Sequence, residues 1–171
     1  MYRIIQMSDT VRIPPERMTE DLGATISELV QRSFDTLGEN DQAPPVAVRK
    51  LIEGNASPEE ERACLASLGF RDPEQAWRDF DGARNKALSP FGGAAMGPAM
   101  KVAPLLLAEI SRSPDPDQAL RHTSNLIGRR GSWSALWRMM HDNPDLLRLV
   151  ASVFGTSEYL SKHFISHPEL F

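Results

Sequence analysis

The sequence predicts an all-α fold: a bundle-like array of short amphipathic helices with a short extended N-terminal arm. Two observations carry this. Apolar residues recur three and four apart through most of the chain, the period of a helix with one buried face. Polar residues followed by proline recur at the expected helix starts, as in Ser57-Pro58, Asp72-Pro73, Asp115-Pro116 and Asn143-Pro144. Such a cap accepts a bond from a free first-turn N–H, and proline at the first helical position gives up an N–H that has no partner there.

In chain order, residues 2–13 alternate weakly and carry β-branched side chains, which predicts a short strand or extended arm ended by Pro14-Pro15. From about Arg17 to Leu37 the period is helical. Leu22, Ile26, Leu29, Val30, Phe34 and Leu37 share a face, and Gly38 is placed to close the helix. The run 39–45 is polar or proline and reads as a loop, giving two regions: an arm and helix over 1–38 and a helical domain over 46–171. Val46 to Glu53 is a short helix closed by Gly54.

Ser57, Pro58 and Glu60 have the spacing of a capping box, and that helix is expected to run to Leu68 and stop at Gly69, with Phe70 folding back. Asp72, Pro73 and Glu74 repeat the start, with Ala76, Trp77, Phe80 and Ala83 or Arg84 on one side. The glycine-rich run 88–97 reads as a turn, since no Lys-Ser or Lys-Thr follows it as a phosphate loop requires. A helix beginning at about Ala94 or Pro98 then reaches Arg112. Pro104 should bend this helix or mark its true start, and Met100, Leu105, Leu106, Leu107 and Ile110 spread over so wide an arc that it should be central.

The last third, from Asp115, packs its helices end to end. Starts are expected at Asp115, Ser132, Asn143 and Thr156. The predicted inner faces are Leu120, Thr123, Leu126 and Ile127; Trp133, Leu136, Trp137 and Met140; Leu146, Leu147, Val150 and Phe154; and Tyr159, Leu160 and Phe164.

Composition narrows the function classes. The chain has 171 residues, 41% hydrophobic and 25% charged, in the range of ordinary globular domains. Its net charge of −4 and pI near 5.6 lack the basic footprint of a nucleic-acid binder. No run approaches the ~18 apolar residues of a membrane span, and Arg3 is followed by no signal-peptide core, so a cytoplasmic location is expected. Cys64, the single cysteine, is expected to be a buried, inert thiol beside Leu65 and Leu68.

No catalytic, cofactor-binding or metal-binding residue is assigned. His163 and His167 are four apart, as zinc ligands on a helix can be, but Pro168 disfavours helical backbone at His167, which reads as a turn or cap. Arg129 and Arg130 suit the negative end of a helix dipole. Trp133, Trp137, Met139 and Met140 read as core. Asp79/Asp81 fall on a polar flank and Asp115/Asp117 at a helix start, without the glycine-serine loop of a metal-dependent nucleotidyltransferase.

Two segments resemble one family. LIEGNASPEEERACLASLGFRDPEQAWRDF, at 51–80, resembles the stretch after the first catalytic domain of glutamine synthetase adenylyltransferases. Residues 111–171 resemble the helical linker leading into their second catalytic domain, above all in SPDPDQAL, NPDLLRLVASVFGTSEYLS and the closing HPEL. The resemblance spans roughly residues 25–171. It implies a non-catalytic linker fragment of an enzyme that transfers AMP from ATP to glutamine synthetase and also removes it. ATP and magnesium would serve the catalytic domains, with glutamine synthetase and a PII-type signalling protein as partners. No catalytic residue carries over, because the glycine-serine loop and paired aspartates are not in this sequence. Two alternatives stand beside it. One is a free-standing helical interaction module. The other rests on MYRIIQMSDTVRIPPERMTEDL, which resembles the start of the archaeal RNA polymerase stalk subunit, over about 40 residues and without that subunit's β-rich body.

Overall fold

A computed structural model describes residues 43–129 and 133–167. The expected arm, the helix over 17–37 with its Gly38 cap, Arg130, the Ser132 cap, the Trp133 side chain and the closing HPEL beyond His167 lie outside the described residues. Those described form helices and turns with no strand among them: α1 (Val46–Glu53), α2 (Pro58–Ser67), α3 (Pro73–Arg84), α4 (Pro98–Arg112), α5 (Pro116–Ile127), α6 (Trp133–Asp142), α7 (Pro144–Thr156) and α8 (Glu158–Ser166).

The caps work as the sequence predicts. Ser57 Oγ accepts from the Glu60 N–H, and Glu60 Oε2 accepts from the Ser57 N–H at 2.8 Å, completing the box. Asp72, Asp115 and Asn143 each accept a first-turn N–H, at Gln75, Gln118 and Asp145. The end of α2 is a Schellman turn: Gly69, at φ 91°, donates to the Ala66 carbonyl, Phe70 donates to that of Leu65, and the Phe70 ring is buried.

The core lies where α4, α5 and α7 pack on one another. Around them, α1 and α6 lean on α4, α3 on α5, and α8 on α5 and α7; α2 joins α1 to α3. Val102, Leu106, Leu107 and Ile110 of α4 are buried, as are Leu120 and Leu126 of α5 and Leu147, Val150 and Phe154 of α7. Removing such a side chain from water contributes about 1.5–3 kcal/mol. Pro104 lies inside α4 and is not its start. The bond it cannot donate would have gone to Met100, on an exposed turn where water can serve that carbonyl.

The turn between α3 and α4 is held by what it packs against. Phe91 is buried with its ring centroid 5.3 Å from that of Phe80, and Trp137 Nε1 donates to the Leu88 carbonyl at 2.9 Å. A Cβ at Gly92 would stand 2.8 Å from the Arg84 carbonyl oxygen, so close approach of backbone explains that glycine.

Several expectations need correction. The cap of α8 is Ser157, whose Oγ accepts from Leu160 N–H; Thr156 ends α7 and its hydroxyl donates to the Ser152 carbonyl. The inner face of α8 is rotated from the predicted one. Leu160, Ser161 and Ile165 are buried, Phe164 is partly so, and Tyr159 is 64% exposed. Met139, read as core, is on the surface beside buried Met140, and Met100 and Leu105 of α4 are also exposed. Cys64 is only partly buried.

Candidate functional site

Among the described residues, polar side chains from separate helices meet in the two places that follow. The first is a buried knot between α2 and α3. Glu61 falls one turn before Leu65 on the inner face of α2 and is 2% exposed. Its carboxylate accepts from Trp77 Nε1 at 2.7 Å and from Arg84 at 2.6 Å and 3.3 Å. Arg84 also binds Asp81 at 2.8 Å, and the bond to Glu61 is the main cause holding its guanidinium above its ordinary pKa. Arg62 lies over the Trp77 ring, 4.8 Å from its centroid, with Nε 2.6 Å from Glu74. Both oxygens of Glu61 are engaged, by three donors in all, which suits holding two helices together. Sequence reasoning took Asp81 as a polar flank and passed over Glu61. The available signal was an acidic residue three and four places from Cys64 and Leu65 on an otherwise apolar face.

The second is an open cleft of about 340 Å³ between α3 and α5, lined by Arg78, Asp79, Gly82, Lys86, Ser124, Asn125, Gly128 and Arg129. A Cβ at Gly82 would meet nothing within 4 Å, and Lys86 Cε lies 3.9 Å from where a Gly128 Cβ would stand. Arg129, predicted to complement the dipole of a helix end, follows Gly128 at the C-terminus of α5. Burial pushes the Asp79 carboxyl upward from its ordinary pKa, against a Gln75 hydrogen bond and the nearby Arg121. Arg78 is paired with Glu74 at 3.2 Å, so the positive balance of the cleft is modest.

The acidic pair Asp115/Asp117 divides its work. Asp115 caps α5, while Asp117 reaches across to α3 and accepts the backbone N–H groups of Arg71, at 2.9 Å, and Asp72. This contact bridges 46 positions of sequence and fixes the start of α3 on the first turn of α5. The His163 and His167 rings have centroids 4.8 Å apart, with His167 as the cap beyond α8. Among the described residues no group of three His, Cys, Asp or Glu is arranged to hold a metal ion. No helix among them is long and apolar enough to cross a membrane.

Comparison with known proteins gives one consistent result. The bifunctional glutamine synthetase adenylyltransferase/adenylyl-removing enzyme of Stenotrophomonas maltophilia (strain K279a) is 32% identical over 139 residues. The chain is similar to one stretch of that enzyme. The match takes in 75% of this chain and 14% of the relative's length. The enzyme of the same name from Xanthobacter autotrophicus is 30% identical over 152 residues, 84% of this chain and 15% of the relative. That from Chromobacterium violaceum is 27% identical over 151 residues, 85% of this chain and 16% of the relative. No protein-family profile matches the chain, and no solved structure matches it.

Proposed function

We propose that the helical unit is a non-catalytic linker of an enzyme resembling glutamine synthetase adenylyltransferase/adenylyl-removing enzyme, joining and coupling its nucleotidyltransferase domains. The observation that carries this reading is the alignment of three quarters of the chain with a short share of a much longer relative, 75% against 14%. The all-α build of the described residues supports it. In this reading the helices transmit strain or position between two sites and carry no chemistry. ATP and magnesium are used by the flanking domains, and glutamine synthetase and a PII-type protein are partners of the whole enzyme. The domain division at the loop over 39–45 belongs to the same proposal.

The test is a chimaera. The matched stretch of the Stenotrophomonas enzyme is replaced by that of this chain, and both adenylylation and deadenylylation of glutamine synthetase are followed. Retention of both activities with their opposed regulation is the expected result. A folded chimaera in which each catalytic domain still acts but the opposed regulation is gone overturns the coupling role. Adenylylation of glutamine synthetase by this chain alone, with ATP and magnesium, overturns the non-catalytic role.

A further inference from the structure

Among the described residues, His122 is a buried side chain with neither of its ring nitrogens bonded. It lies on the inner face of α5, 3% exposed, and neither ring nitrogen has a hydrogen-bond partner. Its ring meets that of Phe154 of α7 edge-on, with centroids 6.0 Å apart. The charged groups acting on it are Arg121 on its own helix and Glu158 and Lys162 on α8, and Arg121 is in turn within reach of Asp79 on α3. Glu158 and Lys162 are paired with each other at 2.8 Å, so the carboxylate nearest the imidazole is already engaged. An imidazole in this setting has at least one N–H donor unmet while neutral, and two once protonated.

The helix that adds Glu158 and Lys162 to this setting is lightly held. The buried positions of α8 are Leu160, Ser161 and Ile165, and the middle one is a hydroxyl whose short bond, 2.7 Å, is to the carbonyl of Ser157 at the head of its own helix, with the Val153 carbonyl of α7 at the longer distance of 3.4 Å. By contrast α5 and α7 are locked together. Gln118 Nε2 donates to the Phe154 carbonyl at 3.0 Å, and Gly155 sits so close beneath the α4–α5 turn that a Cβ there would be 2.7 Å from Ser113 Oγ. If His122 is to reach water, the motion that disturbs least is departure of α8 and not separation of α5 from α7.

We propose that α8 is a releasable element of this fold and that His122 is its proton-sensitive latch. With α8 docked, the neutral imidazole is sealed at the junction of α5, α7 and α8. With α8 lifted, the ring gains water on both nitrogens. Protonation therefore favours the lifted state. The sign agrees with the electrostatics. Burial, then Arg121, lowers the His122 pKa from its ordinary value, so the docked state binds its proton less readily than the lifted one. Docking is at full strength above the ordinary histidine range, weakens as pH falls through about 6.5, and levels off below the lowered docked-state value. This inference is independent of the linker reading and stands or falls with the helical unit itself.

The test uses the full chain. Amide hydrogen exchange is measured by mass spectrometry from pH 5 to 8, corrected for intrinsic rates, with peptides covering α8, α5 and α7 resolved separately. The expected result is an opening constant for α8 that rises toward acid by up to about tenfold per pH unit, the limit for one proton, while α5 and α7 stay protected. His122→Leu and His122→Gln should flatten that dependence. In case both variants fold poorly, the His122 ring of the unaltered chain is titrated by NMR. It should titrate below about 6.5, with α8 resonances shifting in the same transition. Opening of α8 that ignores pH, opening spread equally over α5, α7 and α8, or an ordinary His122 titration that leaves α8 unmoved would each overturn the proposal.

Discussion

Replacing Glu61 by alanine should be the most damaging change of a polar side chain in the α2–α3 half of the unit. The Glu61 side chain is 3% exposed, and it is the acceptor for Trp77 Nε1 and for both terminal nitrogens of Arg84. Losing one partner of a buried ion pair typically costs about 3–5 kcal/mol, because the other charge stays in a poorly solvated place. Arg84 keeps Asp81 at 2.8 Å and is 23% exposed, which puts the expected loss at the lower end, about 3 kcal/mol. Glu61→Gln keeps the shape and one acceptor oxygen but turns an amide NH₂ toward at least one donor of Arg84, so about 2 kcal/mol is expected. A double change, Glu61→Leu with Arg84→Met, should recover much of the loss, since a well-packed apolar pair replaces a desolvated ionic one. The assay is urea denaturation followed by circular dichroism, reading shifts in midpoint at constant slope. A loss below about 1 kcal/mol for Glu61→Ala, the value of an exposed pair, would refute the claim that this carboxylate joins the two helices.

Gly155→Ala should destabilise by about 1–3 kcal/mol, because the new methyl would meet Ser113 Oγ at 2.7 Å and the Asp115 carbonyl at 3.2 Å; adding Ser113→Gly should return part of that in the same denaturation assay. Asp117→Ala should cost about 1–2 kcal/mol by uncapping the Arg71 and Asp72 amides, with Asp117→Asn intermediate and faster exchange confined to the start of α3. Leu88 is exposed at φ 62°, a backbone that a branched side chain occupies at a cost, so Leu88→Gly should leave stability unchanged or raise it by up to about 1 kcal/mol, seen as a higher melting temperature.

Where helices begin and end was legible in the sequence wherever the signal is a bond within four residues. Ser57, Asp72, Asp115 and Asn143 cap because a short polar side chain can reach only the N–H groups of its own first turn, and Gly54 and Gly69 end helices because the left-handed backbone there strains any other residue. The same locality explains the shift from Thr156 to Ser157. Both hydroxyls can cap, and the choice turned on how far α7 continued, a matter of packing against α5 and not of either side chain.

Three-fold and four-fold spacing found the inner faces of α5 and α7, where four apolar residues leave one possible rotation. It misplaced α8, where apolar residues at 159, 160, 164 and 165 fit two rotations about 100° apart and only the surfaces of α5 and α7 select one. Periodicity also could not show that an acid belonged inside. Glu61 is buried because Trp77 and Arg84 come from another helix to meet it, and Asp117 holds the two amides just before a helix that is not its own. His122 is buried with no partner for either ring nitrogen, against the Phe154 ring of another helix. Sequence alone determined the helices and those ends that are set by contacts a few bonds away. Tertiary structure decided which polar groups are buried and which are satisfied, since that depends on side chains brought together from distant positions.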